Sequence, residues 1–172
     1  MMIRPSRCGA NEGIAMLALG LAIIIAVADQ WTKLAIRTQF RLGESRGIIP
    51  GFFHLTYVRN TGAAWGLLGG YNNLLVVLSA VMLGVLLLFR RSFLTDSIAH
   101  RIALGLLVGG ILGNLLDRVR LEYVVDFLDF HLRGYHFPAF NVADAAICVG
   151  IGLYLLTSNR PMSPGQTQSA PG

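Results

Sequence analysis

Three aspartates stand among apolar residues, and an ionisable group in such company has a partner or a task. Asp29 is followed four residues later by Lys33, the favourable order for an ion pair on one helix face. Asp126 lies in Val124-Val125-Asp126-Phe127-Leu128, where loss of water would raise a carboxyl pKa. Asp144 has no basic residue within reach on its own helix, but Asn141, three residues earlier, places its amide on the same face. Two carboxyl groups brought to one point would share a proton. The ionised partner would then take a proton from water while the neutral one protonates a carbonyl or a leaving nitrogen, as in aspartic proteases. That chemistry calls for no metal and no cofactor. Spacing alone leaves the acid pair, a proton relay and simple capping all open.

The elements that must position these acids follow from composition. Of 172 residues, 54% are hydrophobic and only 13% are Asp, Glu, Lys or Arg, about half the usual charged share. This places the chain, with mean hydropathy +0.60, in the membrane class and excludes a disordered protein. Net charge is +5, yet the longest basic run is Arg90-Arg91, so no stripe exists to follow a phosphate backbone and nucleic acid is not an expected partner. Cys8 and Cys148 are too few for a disulfide framework or a metal site.

Four uncharged stretches stand out: Ile14 to Ala28, Thr61 to Phe89, Ile102 to Leu116 and Ala145 to Asn159. Three of them have 15 residues, short of the roughly 20 that a helix needs to cross a hydrocarbon core. Each must draw in neighbouring polar residues: Asp29 and Lys33 in the first, Asp117 and Arg118 in the third, Asn141 and Asp144 in the fourth. The expectation is a single membrane-embedded domain, 1–172, with spans near 14–34, 70–89, 100–120 and 139–157 and a disordered tail over 158–172. Up-down threading gathers every one of these polar groups on one side of the bilayer, with the longer connections Ala35 to Asn73 and Val119 to Pro138. Basic residues number eight on that side and six on the other, so charge counting does not fix the orientation.

The N-terminus also fits a cleavable signal peptide, with Arg4 and Arg7 before an apolar core and Ala26-Val27-Ala28 as a cleavage pattern. Three further spans favour a retained first helix. His54 to Arg59 alternates like a strand and leads into the turn-rich Asn60 to Ala64, so a small extramembrane sheet is expected. Gly105, Gly109 and Gly113 fall on one face of the third span, where they admit a close helix neighbour, and Gly110, Asn114 and Arg118 form the adjacent ridge. Lys33 and Arg118 are candidate internal partners of the carboxylates.

Five blocks, in order and spacing, resemble the motifs of bacterial lipoprotein signal peptidase, or signal peptidase II. They are Asp29-Gln30-Trp31-Thr32-Lys33, Asn60-Thr61-Gly62-Ala63-Ala64-Trp65, Gly109 to Arg118, Val125-Asp126-Phe127 and Phe140-Asn141-Val142-Ala143-Asp144. The resemblance runs from about Ala26 to Ala145. It implies an α-helical inner-membrane aspartic peptidase with four transmembrane helices, a small extracytoplasmic β-rich segment and a short extracytoplasmic loop or helix. Both termini would be cytoplasmic, and the active site would lie near the outer leaflet. Such enzymes cleave diacylglyceryl-modified prolipoproteins just before the lipidated cysteine, work among membrane lipids and are inhibited by globomycin. Carried over, Asp126 and Asp144 would be catalytic. Asn60, Gly62, Asn114, Arg118, Asn141 and Ala143 would shape the site, with Asp29, Lys33 and Gly110 in support. Trp65 stands where the family more often has Phe, and the stretches Gln39 to Phe53 and Arg133 to Phe137 match no usable pattern. The competing reading is a small proton-coupled transporter or channel subunit with Asp29, Asp126 and Asp144 as the relay.

Overall fold

A computed structural model of the chain describes residues 8–63, 66–90, 97–132 and 135–158, with side chains from Met16 onward. Trp65, Arg4, Arg7 and the tail from 159 lie outside the described residues. Four helices carry the fold: α1 (Cys8–Gln39), α2 (Asn72–Leu88), α3 (Ile98–Leu121) and α4 (Val142–Ser158). In α1 the exposed face is apolar, with Ile23, Ile24, Val27, Trp31 and Leu34 all more than half exposed, while Asp29 and Lys33 are buried. A water-soluble amphipathic helix has the opposite arrangement. Two stretches, Met16–Gln39 and Ile98–Leu121, are long and apolar enough to cross a bilayer. The other two helices have 17 residues each, about 26 Å at 1.5 Å per residue.

Helix α3 is the centre of the bundle, and its glycines explain why. A Cβ on Gly105 would come within 2.8 Å of the Ala18 carbonyl oxygen, and one on Gly109 within 2.7 Å of that of Ala22. The backbones of α1 and α3 therefore touch along the stripe that the four-residue spacing marks. The ridge one position on faces α4: a Cβ on Gly110 would meet the Ala143 carbonyl oxygen at 2.5 Å. Because α1 supplies one wall of this packing, it is an integral part of the bundle. Cleavage after Ala28 would remove Ala18 and Ala22 from it.

The two longer connections fold into one antiparallel sheet, in the order β1 (Ser45–Ile49), β2 (Phe53–Asn60), β3 (Val124–Leu132) and β4 (Tyr135–His136). The expected strand His54 to Arg59 is β2. Strands β1 and β4 are additions to the sequence reading, since the stretches 39–53 and 133–137 gave no pattern. Among the described residues the second of these holds the short strand β4. The long uncharged stretch from Thr61 becomes helix only at Asn72; before it the chain turns through Gly66 and Gly70, both at positive φ. Ile36, Tyr57, Val125 and Phe127 form the core that fixes the sheet to the end of α1. At the close of α3, Glu122 takes a left-handed conformation and donates its backbone N–H to the Arg118 carbonyl. Val125 then donates its N–H to Asp117 Oδ2 at 3.0 Å, so the start of β3 is tied to the last turn of α3.

Candidate active site

Asp144 owes its position to the start of α4. Its N–H donates to Asn141 Oδ1 at 3.0 Å, while the Asn141 N–H donates to Asp144 Oδ2 at 3.2 Å. This is a reciprocal capping box, with the acid in the first turn where the helix dipole favours negative charge. The free end of Asn141 reaches across to β3. Its Nδ2 donates to Asp126 Oδ1 at 2.7 Å and to Asn114 Oδ1 at 3.2 Å. One residue thus bridges the two acids, through its backbone to Asp144 and through its amide to Asp126. The sequence placed that amide on the face of Asp144, within reach of its carboxylate or a substrate; in the structure its Oδ1 accepts the Asp144 N–H and its Nδ2 donates to Asp126.

Each acid has a second amide donor. Asn60, at the end of β2, donates from Nδ2 to Asp126 Oδ2 at 2.9 Å, and its Oδ1 accepts the Gly62 N–H at 2.9 Å. Gly62 has no room for a side chain, because a Cβ there would meet the Leu67 carbonyl oxygen at 2.6 Å. Asn114 on α3 donates from Nδ2 to Asp144 Oδ1 at 2.7 Å. Asp126 is 2% exposed. Burial pushes its carboxyl up, the nearby Asp144 charge pushes the same way, and the amide bonds from Asn60 and Asn141 only partly oppose them. The result is a pKa of about 7 in place of 3.8.

Behind the acids lies a buried charge cluster. Lys33 Nζ is 2.8 Å from Asp29 Oδ2, 3.2 Å from Asp117 Oδ2 and 2.9 Å from Asn114 Oδ1, which uses all three of its donors. Asp29 Oδ1 accepts the Ala143 N–H at 2.9 Å, satisfying another backbone donor of the first turn of α4. Ala143 is fully buried, and its Cβ lies 3.2 Å from where a Gly113 Cβ would stand, so both positions must stay small. Gln30 Nε2 closes the cluster, donating to Asp117 Oδ1 at 2.8 Å and to the Gly113 carbonyl at 3.0 Å. Asp29 and Lys33 do form the expected ion pair. Lys33 also passes its influence through Asn114 to Asp144.

Arg118 departs from its expected role. It forms no ion pair within 4.0 Å among the described residues; its Nη2 donates to the Gly62 carbonyl at 3.2 Å while Asp144, Asp126 and Asp117 act on it from a distance. A guanidinium so placed fixes the 60–63 turn and leaves donors for a ligand.

Both aspartates open into one cavity of about 960 Å³. Asn60, Gly62, Asn114 and Arg118 line it as well, and Phe137, Phe140 and Ile147 give it an apolar wall. Asn141, Ala143, Asp29, Lys33 and Gly110 stand behind the wall. Sequence reasoning treated Asp117 only as a polar residue at the end of a span. Its place three residues after Asn114, hence on the same helix face, was the available signal. Asp129 and His136, also on the cavity wall, were missed entirely.

A family model described as signal peptidase (SPase) II matches residues 21–160. The chain belongs to the signal peptidase II family. Among curated relatives, the lipoprotein signal peptidase of Syntrophotalea carbinolica is 44% identical over 147 residues, covering 84% of this chain and 91% of the relative. That of Ralstonia nicotianae is 44% identical over 161 residues, covering 90% of each. A solved bacterial membrane enzyme, determined by the in meso method at 2.3 Å resolution, superposes with a TM-score of 0.78 at 34% identity, over 90% of this chain and 94% of that one. As a member of the signal peptidase II family the chain is a membrane peptidase, and the transporter reading falls away.

Proposed function

We propose that this chain removes signal peptides from diacylglyceryl-modified prolipoproteins, cutting just before the lipidated cysteine, with Asp126 and Asp144 as its catalytic pair. The observation that carries the assignment is the bridge through Asn141, which holds two carboxyl groups from different elements against one cavity. Asp126, the drier of the two and with its pKa near 7, holds the shared proton at rest. Asp144, held by Asn114 and the start of α4, is the base.

The steps follow from these states. Water between the acids loses a proton to Asp144 as its oxygen attacks the scissile carbonyl carbon, and Asp126 protonates the carbonyl oxygen. The resulting gem-diol returns a proton to Asp126 as it collapses, while Asp144 passes its own to the departing nitrogen. Both carboxyl groups end as they began. Arg118 and Asn60 orient the peptide, and Gly62 keeps the 60–63 turn close to it. Asn114, Asn141 and Ala143 position the acids, and Asp29, Lys33 and Gly110 hold α1, α3 and α4 in register behind them.

In this reading all four helices cross the bacterial inner membrane as one domain. Both termini are cytoplasmic, and the sheet and cavity lie at the outer leaflet. A substrate held by two acyl chains then presents its scissile bond near the interface, which limits the geometries it samples. Membrane lipids surround the bundle, and globomycin competes for the cavity. The test is cleavage of one precursor with and without its diacylglyceryl group, in the presence and absence of globomycin. Globomycin-sensitive cleavage of the lipidated form alone is expected. Equal cleavage of the unlipidated form would overturn the substrate assignment.

A further inference from the structure

The acid pair accounts for only part of the cavity wall. Asp129 and His136 also line it, and neither has a task in the reaction above. The sheet register brings them together with two more histidines. Asp129 and His131 are two residues apart on β3 and so share a face. His136 on β4 pairs directly with His131, and His54 on β2 pairs directly with Asp129. Four residues with ligand chemistry therefore occupy one patch at the cavity rim.

The side chains converge within that patch. His131 Nε2 lies 3.0 Å and His136 Nδ1 3.6 Å from Asp129 Oδ1, and the three ligand atoms all fall within 4.8 Å of one another. Atoms bound tetrahedrally to zinc at roughly 2.0–2.1 Å stand ~3.3 Å apart. The two Asp129 edges, 3.0 and 3.6 Å, bracket that value. His131 Nε2 is buried and makes no hydrogen bond of good geometry, despite its proximity to the carboxylate. A nitrogen at that distance and in that state fits a ligand better than a donor to Asp129. The outer contacts a metal site needs are also in place. Thr56 Oγ1 donates to Asp129 Oδ2 at 2.7 Å, leaving Oδ1 for an ion, and Ser45 Oγ lies 2.8 Å from Thr56 Oγ1. The His54 ring stacks on that of His131 at 4.4 Å, fixing its plane.

We propose that Asp129, His131 and His136 form a site for a borderline-soft divalent cation of the zinc type, which clips β4 to β3 at the rim of the peptidase cavity. Three protein ligands leave a fourth position for water. His136 is 69% exposed, so an ion enters from the aqueous side and exchanges readily. The site is separate from the acid pair and adds to the proposed function without entering its steps. Its effect is to hold the hairpin next to Phe137 and so set the shape of the cavity mouth.

The experiment is isothermal titration of zinc chloride into tag-free full-length protein in detergent micelles, with a thermal melt of each sample. The expected result is one zinc per chain and a melt shifted upward by the ion, since a ligand bound only by the folded state stabilises it. His136→Ala, an exposed substitution that leaves the bundle intact, should weaken binding at least tenfold and abolish the shift, and His131→Ala should do the same. Asp126→Asn should bind zinc as the parent does while losing cleavage, which separates this site from the peptidase reading. Absence of binding to the parent, or undiminished binding by His136→Ala, would overturn the proposal. So would binding that survives His136→Ala and is lost in Asp126→Asn, which would put the ion on the acid pair.

Discussion

Replacing Asp126 by Asn should stabilise the folded protein in a pH-dependent way while destroying its activity. The carboxyl group has a pKa of 3.8 when solvated and of about 7 in the fold, chiefly because burial disfavours its charge. Between those values the folded state keeps a proton that the unfolded chain has released, so stability falls as pH rises from about 4 to about 7 and levels off above. At about 1.4 kcal/mol per pH unit the loss amounts to about 4 kcal/mol. A neutral Asn has no such dependence. It does lose one acceptor, since both carboxyl oxygens receive amide donors from Asn60 and Asn141, at a pH-independent cost of about 1–3 kcal/mol. The assay is the thermal midpoint of parent and variant in detergent from pH 4.5 to 8.5. The variant should gain on the parent across the lower part of that range, by about 10 °C in total, and hold the gain above pH 7. A difference between the two that does not change with pH would refute the reasoning about the buried proton.

Four other outcomes follow from the geometry. Cleavage by the parent should decline as pH rises through about 7, where Asp126 loses the proton it must donate, as a pH–rate profile will report. In Asn60→Ala the lost hydrogen bond no longer favours the charged carboxylate, so that alkaline limb should move to higher pH by less than about one unit. Lys33→Met leaves Asp29 and Asp117 buried without their cation, and denaturation should show a loss of about 3–5 kcal/mol. Gly110→Ala drives a methyl into the Ala143 carbonyl and should cost about 1–3 kcal/mol together with activity, whereas Gly20→Ala, with open space around it, should not destabilise the melt.

The sequence was most informative where a residue type had to answer to helix periodicity. Gly105, Gly109 and Gly113 announced the α1–α3 contact because a four-residue spacing fixes a face whatever the partner, and Asp29 with Lys33 announced its pair for the same reason. Strand β2 was visible in the alternation of His54 to Arg59. Strand β4 was not, since two residues, Tyr135 and His136, carry no pattern and exist as a strand only by pairing with β3. Asp126 and Asp144 could be singled out but not joined. Their meeting depends on the reach of the Asn141 amide from the α4 cap to β3, a tertiary fact with no local signature. Arg118 shows the converse error. Charge logic assigned it a carboxylate, but the 60–63 turn offers a carbonyl closer by.

Cleavage by this site requires both acids to act together on one peptide bond. Single-turnover cleavage of a diacylglyceryl-modified precursor by Asp126→Asn and by Asp144→Asn, each verified as folded by its melt, tests this most directly. Loss of at least ~1,000-fold in both variants is expected for members of one catalytic unit. Cleavage within tenfold of the parent by either variant would contradict it.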